Sequence, residues 1–533
     1  MELILQKQHM TTTAGPGTSY PAGLFFSFAM SLRRRAGRLP QPASPALRHL
    51  AGILLCCLFL FSCSPVAPDA VVRLEATAVV SSDYIGNGAQ WDPYQLDYGD
   101  GRMEISEADW QKLYDRLDFM RPQFIRMMIN ISSFLEDGVL VPEKNRAVME
   151  RMLDYCQQRG VTVMFGDWGW SVINRGQPSV NAKNMHHAVE LLDYLVNERG
   201  YSCITYYNLI NEPNGDWSAT NTSHTLWMEA MHHFHEIMKE YALTEKVKMA
   251  GPDIAIWDER ESWWIDSTAT QLGEIVELYD IHTYPSKITV NSGEYSRIIR
   301  AYREKVPEGK RMVMGEIGFK FVEEADSVYL QENKRRANAA VHASPGDSQM
   351  FVYDYIYGID MADALIQTVN EGFSGAVVWM MDDAMHSNES PDKLKVWGFW
   401  NIFGDEKFGA AEEEVRPWYY AWSLLTRNMP AGAVIRRATV TGDGAVKAMM
   451  VEHEGQRMIA LVNVSKEKKR VRMESSDLSA LTGCRKYIYH ESTLRKEGDH
   501  LLLPNEEGLV IDLSEGLTTE MLPESLIVYT NMP

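Results

Sequence analysis

Short apolar runs alternate with longer stretches of helical periodicity between about residues 76 and 428. In the first helical stretch, Leu113, Leu117 and Met120 fall on one face, which is the spacing of a helix that packs on a sheet. Ser106 begins this stretch and is followed three residues later by an acid, a pair that can cap the first turn of a helix. Strands that alternate with helices in this way predict a parallel sheet with helical crossovers.

Eight apolar runs in this region have the length and composition of strands. They span residues 84–90, 124–130, 161–165, 205–210, 247–250, 278–282, 311–315 and 375–379. Eight strand–helix units within about 350 residues fit a (β/α)8 barrel, so we predict an α/β fold of the TIM-barrel type over residues 76–428. A doubly wound parallel sheet is the alternative, but it does not usually need this many units in one domain.

The pattern changes after residue 428, where short β-type runs are separated by turn-forming clusters of Gly, Asp, Asn and Lys. These runs span residues 446–451, 457–464, 470–473, 486–489, 501–503 and 525–529. This alternation of short strands and turns predicts a small antiparallel β-sandwich domain over residues 429–533. Residues 71–80 could supply it with an extra strand.

Residues 1–63 predict a signal region rather than part of the fold. A basic stretch leads into an apolar run from Leu50 to Phe61, which is too short to span a bilayer and suits the core of a secretory signal. Residues 60–63 resemble a bacterial lipobox, in which Cys63 would be the lipidated residue. We therefore expect an exported lipoprotein, anchored to a membrane on its periplasmic side or at the cell surface, with residues 64–75 as a tether. A cleaved signal peptide and an N-terminal anchor helix are the alternatives.

Charge and motif content narrow the classes of partner. The net charge of −20 argues against nucleic acid and other anionic polymers and favours a neutral partner. The six cysteines follow neither a zinc-site spacing nor a disulfide framework. Histidines at 186–187 and 232–235 lie in helical stretches without carboxylates that would complete a metal site. We expect no metal and no cofactor, and the oligomeric state stays open.

In a barrel of this type the reacting groups lie at the carboxyl-terminal ends of the strands. Six of the predicted strands end in polar or aromatic side chains of one kind of chemistry. These are Arg126 on the second strand, Trp168 after the third, Asn211 and Glu212 after the fourth, His282 and Tyr284 on the sixth, Glu316 on the seventh and Trp379 on the eighth.

This set resembles that of the clan A glycoside hydrolases, with Asn-Glu-Pro closing strand 4, Glu closing strand 7, His-x-Tyr on strand 6 and Trp on strand 8. Within the clan, the chain is similar to the cellulase family (family 5) and to families 39 and 30. The resemblance implies that Glu212 is the acid/base and Glu316 the nucleophile. It further implies that Arg126 hydrogen-bonds the nucleophile, that Asn211 contacts the sugar 2-hydroxyl and that Trp379 forms a platform under the reactive sugar.

The chemistry of the retaining reaction explains why these residue types belong together. Cleavage through an oxocarbenium-like transition state needs an acid on the leaving oxygen and an anion at the anomeric carbon. Two carboxyl groups about 5–5.5 Å apart do not ionise equally easily, so one stays protonated as the acid. We expect Arg126 to hold Glu316 ionised and Tyr284 to orient it. His282 and Tyr284 match the strand-6 pair of the clan.

We therefore predict a retaining glycoside hydrolase that cleaves O-glycosidic bonds, expected to be β-linked, in neutral poly- or oligosaccharides. Tryptophans in the predicted loops at the catalytic end favour an endo-β-glucanase, because sugars stack on such rings. They are Trp168, Trp170, Trp217, Trp257, Trp263, Trp264, Trp397 and Trp400. An exo-acting β-glycosidase of the same clan is the alternative, and transglycosylation shares the same intermediate. A non-catalytic surface glycan-binding lipoprotein is the alternative from another class, and the presence of both glutamates argues against it.

Overall fold

The computed structural model describes residues 67–94, 103–322, 324–388 and 390–533. The predicted signal region and Cys63 therefore lie outside the described residues. Within the described ranges, no helix combines the length and the apolar character needed to cross a membrane.

Strands and helices follow one another along the described chain. The strands are β1 Ala70–Ser81, β2 Gly86–Ala89, β3 Phe124–Ile129, β4 Leu135–Glu136, β5 Val139–Leu140, β6 Thr162–Asp167, β7 Ile173–Asn174, β8 Ser179–Val180, β9 Ile204–Asn208, β10 Lys248–Ile256, β11 Val276–Thr283, β12 Arg311–Ile317, β13 Gly375–Val378, β14 Ser387–Asn388, β15 Ser390–Leu394, β16 Val434–Gly442, β17 Val446–His453, β18 Gln456–Asn463, β19 Lys469–Glu474, β20 Leu481–Tyr489, β21 Lys496–Glu497, β22 Leu501–Leu502, β23 Glu506–Ile511, β24 Leu517–Met521 and β25 Ser525–Thr530. The α-helices are α1 Glu107–Met120, α2 Arg146–Arg159, α3 Ala182–Asp193, α4 His224–Glu240, α5 Trp263–Leu272, α6 Lys287–Asn291, α7 Glu294–Arg303, α8 Ser327–Ala339, α9 Tyr355–Asn370, α10 Ala410–Glu413 and α11 Pro417–Thr426.

Parallel strands form the predicted barrel within the described residues, in the order β2-β13-β12-β11-β10-β9-β6-β3. Backbone hydrogen bonds close the ring between its first and last strands. The N–H of Trp91 donates to the carbonyl of Arg126, and the N–H of Gln123 donates to the carbonyl of Asn87, both over 2.9 Å. The predicted TIM-barrel fold is confirmed. The observed strands agree with the predicted ones within a few residues, except that β10 continues to Ile256, beyond the predicted end at residue 250.

Side chains fill the interior of the barrel. One buried residue from or beside each strand joins this cluster: Ile85, Phe124, Met164, Tyr206, Ala250, Leu278, Val313 and Val377. The interior is thus a packed core, and polar groups that react with a ligand have to lie at the ends of the strands.

The first crossover helix shows how the sequence pattern produces the outer layer. Ser106 caps α1 by accepting a hydrogen bond from the N–H of Asp109, and the Asp109 side chain accepts one from the N–H of Ser106. Leu113, Leu117 and Met120 are fully buried, as their common face predicts. The helix therefore begins at its sequence signal and packs through its apolar stripe.

A second sheet forms from the carboxyl-terminal residues and from β1, in the order β23-β20-β25-β18-β17-β16-β1-β19-β24. Its neighbours are antiparallel except for β1 and β19. Residues 70–75, which the sequence assigned to a tether, belong to β1, because alternate apolar residues such as Val72 and Leu74 are buried in the core of this sheet. The predicted extra strand is present, whereas β16, β23 and β24 were not predicted.

Consecutive residues of β17 and β18 point to two different cores. Met450 and Ile459 belong to the core between the layers of the second sheet, whereas Met449 and Met458 belong to the large core shared with the barrel. Lys447 also forms an ion pair with Asp363 of α9 over 3.1 Å. The second sheet is therefore packed on the barrel, and residues 67–533 form one compact unit. The exact domain boundaries stay a prediction.

Candidate active site

Glu212 and Glu316 lie at the carboxyl-terminal ends of two barrel strands. Glu316 is the penultimate residue of β12, and Glu212 follows the end of β9 by four residues. An oxygen of the Glu212 carboxyl group lies within 4.8 Å of an oxygen of Glu316. Glu212 has a φ of 46°, a left-handed conformation that costs a residue with a Cβ atom about 1–3 kcal/mol. Its N–H donates to the carbonyl oxygen of Asp253 over 3.1 Å, which helps to hold this backbone conformation.

Each carboxylate oxygen of Glu316 accepts a strong hydrogen bond. Arg126 Nη1 donates to Oε1 and the hydroxyl of Tyr284 donates to Oε2, both over 2.6 Å. Glu316 is only 3% exposed. Burial raises the pKa of Glu316 above its ordinary value, although His282 and Arg126 act in the opposite direction. The contacts with His282, Arg126 and Tyr284 favour the carboxylate of Glu316, but they do not fully offset the effect of burial on its pKa.

Glu212 has different partners and is more open to solvent. The indole N–H of Trp217 donates to Oε2 over 2.5 Å, and Nδ1 of His282 lies 3.2 Å from Oε1. Burial opposes ionisation of Glu212, but the hydrogen bond and the charge of His282 outweigh it and lower the pKa of Glu212. These contacts therefore favour the carboxylate form of Glu212. This is the reverse of the expectation that the acid/base holds the shared proton and that Glu316 is the more acidic of the two.

Arg126 connects four groups at the base of the site. Nη1 also donates to Oε1 of Gln90 over 2.9 Å, while Nη2 donates to Oδ1 of Asn211 over 2.8 Å and to Oδ2 of Asp253 over 2.9 Å. Burial opposes the charge of Arg126, but Asp253 and then Glu316 outweigh it and raise the pKa of the guanidinium. Because Asn211 accepts with its oxygen here, its amide N–H groups are left to donate elsewhere.

Asp253 and His282 form a buried pair behind the glutamates. Nε2 of His282 lies 2.7 Å from Oδ1 of Asp253, and both side chains are fully buried. Burial opposes a charge on His282, but the carboxylates of Asp253 and Glu316 outweigh it and raise the pKa of the imidazole well above its ordinary value. Burial likewise opposes a charge on Asp253, and Arg126 and then His282 lower its pKa nonetheless.

A second buried aspartate, Asp280, lies beside this pair. A side-chain atom of each of Asp253, Asp280 and His282 lies within 4.8 Å of the others. Neither oxygen of Asp280 accepts a hydrogen bond from a described residue. Burial, and after it the charge of Asp253, raises the pKa of Asp280 well above its ordinary value. Its carboxyl group occupies the space beside Gly315, where a Cβ atom would stand 2.1 Å from Oδ1 of Asp280.

Aromatic rings line one side of the site. Trp168 and Trp379 meet edge to face with their ring centroids 6.1 Å apart, and the ring of His386 stacks on Trp379 at 5.2 Å. Nε2 of His386 lies 2.8 Å from Oδ2 of Asp92, which is buried. Asp92, Trp168 and His386 also line a cavity of about 490 Å³. This volume lies within the roughly 300–1,000 Å³ range of small-ligand pockets.

Comparisons with known proteins place the fold. No protein-family model and no curated protein matches the sequence. A family 30 subfamily 8 xylanase from Clostridium acetobutylicum is similar over 86% of this chain and 98% of its own, with 13% sequence identity and a TM-score of 0.56. A family 39 β-xylosidase from Caulobacter crescentus is similar over 87% of this chain and 100% of its own, with 14% identity and a TM-score of 0.54. A family 51 α-L-arabinofuranosidase from Bifidobacterium longum is similar over 87% of this chain and 100% of its own, with 11% sequence identity and a TM-score of 0.59. The resemblance to families 30 and 39 is confirmed at the level of the fold.

The structure brings together the side chains that the sequence singled out at the strand ends. Arg126, Tyr284 and His282 surround the two glutamates, Asn211 contacts Arg126, and Trp168 lies next to Trp379. Apart from Trp168, which is half-buried, the loop tryptophans divide into two groups. Four are at least 39% exposed, namely Trp170, Trp217, Trp257 and Trp263, whereas Trp264, Trp397 and Trp400 are buried in the core. The buried rings contribute to packing rather than to an open cleft.

Sequence reasoning missed Asp253, Asp280, Asp92 and His386. Asp253 was missed because the fifth strand was predicted to end at residue 250, so that a carboxylate on its extension was not examined as a strand-end group. Asp280 lies between the apolar residues Tyr279 and Ile281 of the sixth strand, and this position was the available signal. Asp92 follows β2 by three residues, and the same strand-end rule applied to the first strand would have found it.

The chemistry of the side chains at the site indicates whether they could bind a metal ion. Among the described residues, the close groups of possible ligands are Glu212, His282 and Glu316, and Asp253, Asp280 and His282. Both groups share His282, and the guanidinium of Arg126 already contacts Glu316 and Asp253. A cation here would be placed next to that fixed positive charge, so the donor set fits a protonated network better than a metal site.

Proposed function

We propose that the protein hydrolyses O-glycosidic bonds with retention of configuration, with Glu316 as the nucleophile and Glu212 as the acid/base. The observation that carries the proposal is the close approach of the two carboxyl groups, with oxygens within 4.8 Å, at the ends of β9 and β12. Retaining enzymes hold their carboxyl groups about 5–5.5 Å apart, whereas inverting enzymes need about 6.5–9.5 Å to admit a water molecule. The common fold of the named glycosidases supports the proposal.

In the first step, an oxygen of Glu316 forms a bond to the anomeric carbon while the bond from that carbon to the leaving oxygen breaks. Glu212 gives its proton to the leaving oxygen. Arg126 and Tyr284 fix both oxygens of Glu316 before the reaction, which reduces the entropy lost in reaching the attack geometry. The amide nitrogen of Asn211 is left to donate to the sugar 2-hydroxyl.

In the second step, Glu212 accepts a proton from a water molecule whose oxygen attacks the anomeric carbon, and Glu316 is released as a carboxylate. The contacts that lower the pKa of Glu212 keep it ionised, so that it is able to accept this proton. Attack by a sugar hydroxyl instead of water would give transglycosylation from the same intermediate. Trp379 and Trp168 offer apolar ring faces for the sugar in the reacting position.

For the substrate, we propose a neutral polysaccharide or its oligosaccharides. The net charge of −20 disfavours anionic chains. The neighbours named above are a xylanase, a β-xylosidase and an α-L-arabinofuranosidase, which favours a xylan-type substrate over the β-glucan that the sequence suggested. The burial of Trp264, Trp397 and Trp400 also removes part of the argument for an endo-β-glucanase.

The test is a panel of xylans, arabinoxylans, β-glucans and mannans, with reducing-sugar release and product size as readouts. Proton NMR of the first product, recorded before mutarotation, distinguishes retention from inversion. Oligosaccharide products support endo action, and monosaccharides alone support the exo-acting alternative. Binding to a polysaccharide without any bond cleavage would favour the non-catalytic glycan-binding alternative, and an inverted product would contradict the assigned roles.

We also propose export and lipid anchoring through Cys63. Since β1 begins at Ala70, only residues 64–69 would remain as the tether between the lipidated residue and the folded unit. Metabolic labelling with a fatty acid and membrane fractionation test this, with Cys63→Ser as the variant. Loss of both label and membrane association in Cys63→Ser is expected. Unchanged fractionation of the variant would contradict the anchor.

A further inference from the structure

The carboxylate of Asp253 lies between the two groups that contact the proposed catalytic glutamates. Its Oδ2 accepts from Arg126 over 2.9 Å, and its Oδ1 lies 2.7 Å from Nε2 of His282. Arg126 also donates to Glu316 over 2.6 Å, and the other ring nitrogen of His282 lies 3.2 Å from Glu212. One buried anion therefore joins the two halves of the site.

We propose that Asp253 is a positioning residue that keeps Arg126 on Glu316 and keeps a transferable proton on His282, from which Glu212 receives it. This inference rests on the proposed function, because it names the source of the proton that the acid/base delivers. Asp253 is fully buried and both of its oxygens contact protein groups. It therefore acts through its neighbours and not on the sugar.

The contacts of His282 determine where its protons lie. Nε2 faces the Asp253 carboxylate and so carries a hydrogen, whereas Nδ1 faces acceptor oxygens of Glu212 at 3.2 Å and of Glu316 at 3.7 Å. A hydrogen bond between Nδ1 of His282 and Glu212 requires one of these two groups to carry a hydrogen. This hydrogen stays on the ring while Glu212 is a carboxylate, and its transfer to Glu212 leaves a neutral ring that still donates from Nε2 to Asp253. The proton that Glu212 later takes from water restores the imidazolium.

The groups around His282 show why Asp253 supplies the decisive charge. The charged or titratable groups that surround the ring are Arg126 of β3, Glu212 after β9, Asp253 of β10, Asp280 of β11 and Glu316 of β12. Neither oxygen of Asp280 accepts a hydrogen bond from a described residue, although Asp253 lies close by. Two buried carboxylates in such proximity share one proton, which belongs to Asp280 because Asp253 already faces two cations.

Removal of the Asp253 charge should therefore release the proton from His282 and loosen Arg126. The variant Asp253→Asn keeps the size of the side chain. With an aryl glycoside that the wild-type protein hydrolyses, we expect kcat to fall at least about ten-fold with little change in KM. We also expect the basic limb of the kcat/KM profile to move to lower pH, since a proton without its neighbouring anion is lost more easily.

A matched variant separates this role from general destabilisation. Asp360 is also buried and forms an ion pair with Lys287, between α9 and α6 and away from the glutamates. Asp360→Asn should lower the melting temperature without a shift of the basic limb. A lowered melting temperature in Asp253→Asn with wild-type kcat and an unmoved basic limb would mean a structural role only and would overturn the proposal. A rise in KM at constant kcat would overturn it as well.

A measurement without turnover keeps the inference separate from the proposed function. Nitrogen-15 NMR of labelled histidine reports the protonation of His282, whose signal is assigned by its absence from His282→Gln. We expect both ring nitrogens to be protonated at pH 7 in the wild-type protein and in Asp280→Asn, but not in Asp253→Asn. A neutral His282 in the wild-type protein would overturn the inference even if the enzyme is active. A charged His282 in a protein that cleaves no glycoside would contradict the proposed function alone.

Discussion

The indole N–H of Trp217 donates a hydrogen bond to Oε2 of Glu212 over 2.5 Å. The Trp217 ring is 46% exposed, so an open part of the site contacts the proposed acid/base directly. Burial opposes ionisation of Glu212, but His282 and, after it, Trp217 outweigh this effect and lower its pKa. An exposed loop residue therefore contributes to the protonation state of the proposed acid/base, a role distinct from sugar stacking.

Trp217→Phe should move the basic limb of the kcat/KM profile to higher pH. The substitution removes a donor that stabilises the carboxylate of Glu212, so Glu212 and His282 together hold their shared proton more tightly and retain it to higher pH. The expected shift is up to about one pH unit, because a hydrogen bond to a charged group is strong but this one is partly exposed. Trp257→Phe is the control, since that ring packs edge to face on Trp217 at 5.7 Å, whereas the indole that donates to Glu212 is that of Trp217. An equal shift in both variants would contradict this role.

Tyr284→Phe should affect the opposite limb of the profile. Glu316 has to be ionised to act as the nucleophile, and burial raises its pKa even with the Tyr284 hydroxyl bound to Oε2. Without this donor the pKa of Glu316 rises further, so the acidic limb of the kcat/KM profile should move to higher pH. We also expect kcat to fall about 10–100-fold because the carboxylate loses one of its two fixed contacts. A variant with the wild-type acidic limb would show that the Tyr284 hydroxyl does not contribute to the ionisation of Glu316.

Removal of each glutamate in turn should give different products in the presence of azide. Glu316→Ala should lower kcat at least about 10³-fold on an aryl glycoside, and added azide should yield a glycosyl azide of inverted configuration, because the small anion takes the vacant nucleophile position. Glu212→Ala with azide should give a product of retained configuration, because Glu316 still forms the intermediate. NMR of the products checks both outcomes. The same configuration from both variants would contradict the assigned roles.

The sequence was sufficient to predict the barrel and the residues at its strand ends. Helical and strand periodicities reflect burial directly, and parallel strands of a closed barrel bring their carboxyl ends together. The prediction that Arg126, Glu212 and Glu316 meet rests on that geometry and not on any single motif. The sequence could equally have indicated a strand-end role for Asp253 if the full length of β10 had been recognised.

The protonation states could not be predicted in this way. They depend on distances of a few ångströms between side chains that are far apart in the chain, such as the 3.2 Å between His282 and Glu212. A pattern of residue types shows that Arg126 and Glu316 belong together, but not that burial outweighs the ion pair. Which of the loop tryptophans are buried could not be predicted either, because a position in a loop does not reveal whether another element covers the ring.

Asp167 should make the stability of the fold depend on pH. Burial raises its pKa to about 7, although the N–H groups of Gly169 and Ile131 donate to the carboxylate. A raised pKa means that the folded state binds the proton more tightly, so this contribution is fully present below about pH 4 and is lost as the pH rises to about 7. A pKa of Asp167 raised from 3.8 to about 7 corresponds to about 4 kcal/mol of unfolding free energy.

Urea unfolding between pH 4 and 8 measures this effect. Asp167→Asn cannot ionise, so its unfolding free energy should fall less with rising pH than that of the wild-type protein. Asp115→Asn on the exposed side of α1 is the control and should keep the wild-type slope. Identical slopes in all three proteins would show that Asp167 does not titrate in this range.

Substitution of a buried tryptophan should lower the unfolding free energy, whereas substitution of an exposed one should leave it almost unchanged. Trp400 is fully buried and donates to Asp382 over 2.8 Å, so Trp400→Phe leaves a buried acceptor with one donor fewer and should lower the unfolding free energy by about 1–3 kcal/mol. Trp257 is 57% exposed, and Trp257→Ala should leave the unfolding free energy within about 0.5 kcal/mol of the wild-type value. If the exposed rings bind sugar units beyond the reacting one, Trp257→Ala should raise KM for a polysaccharide but not for a short aryl glycoside. Equal KM changes for both substrates would place Trp257 at the reacting sugar instead, because only that position is occupied by both substrates.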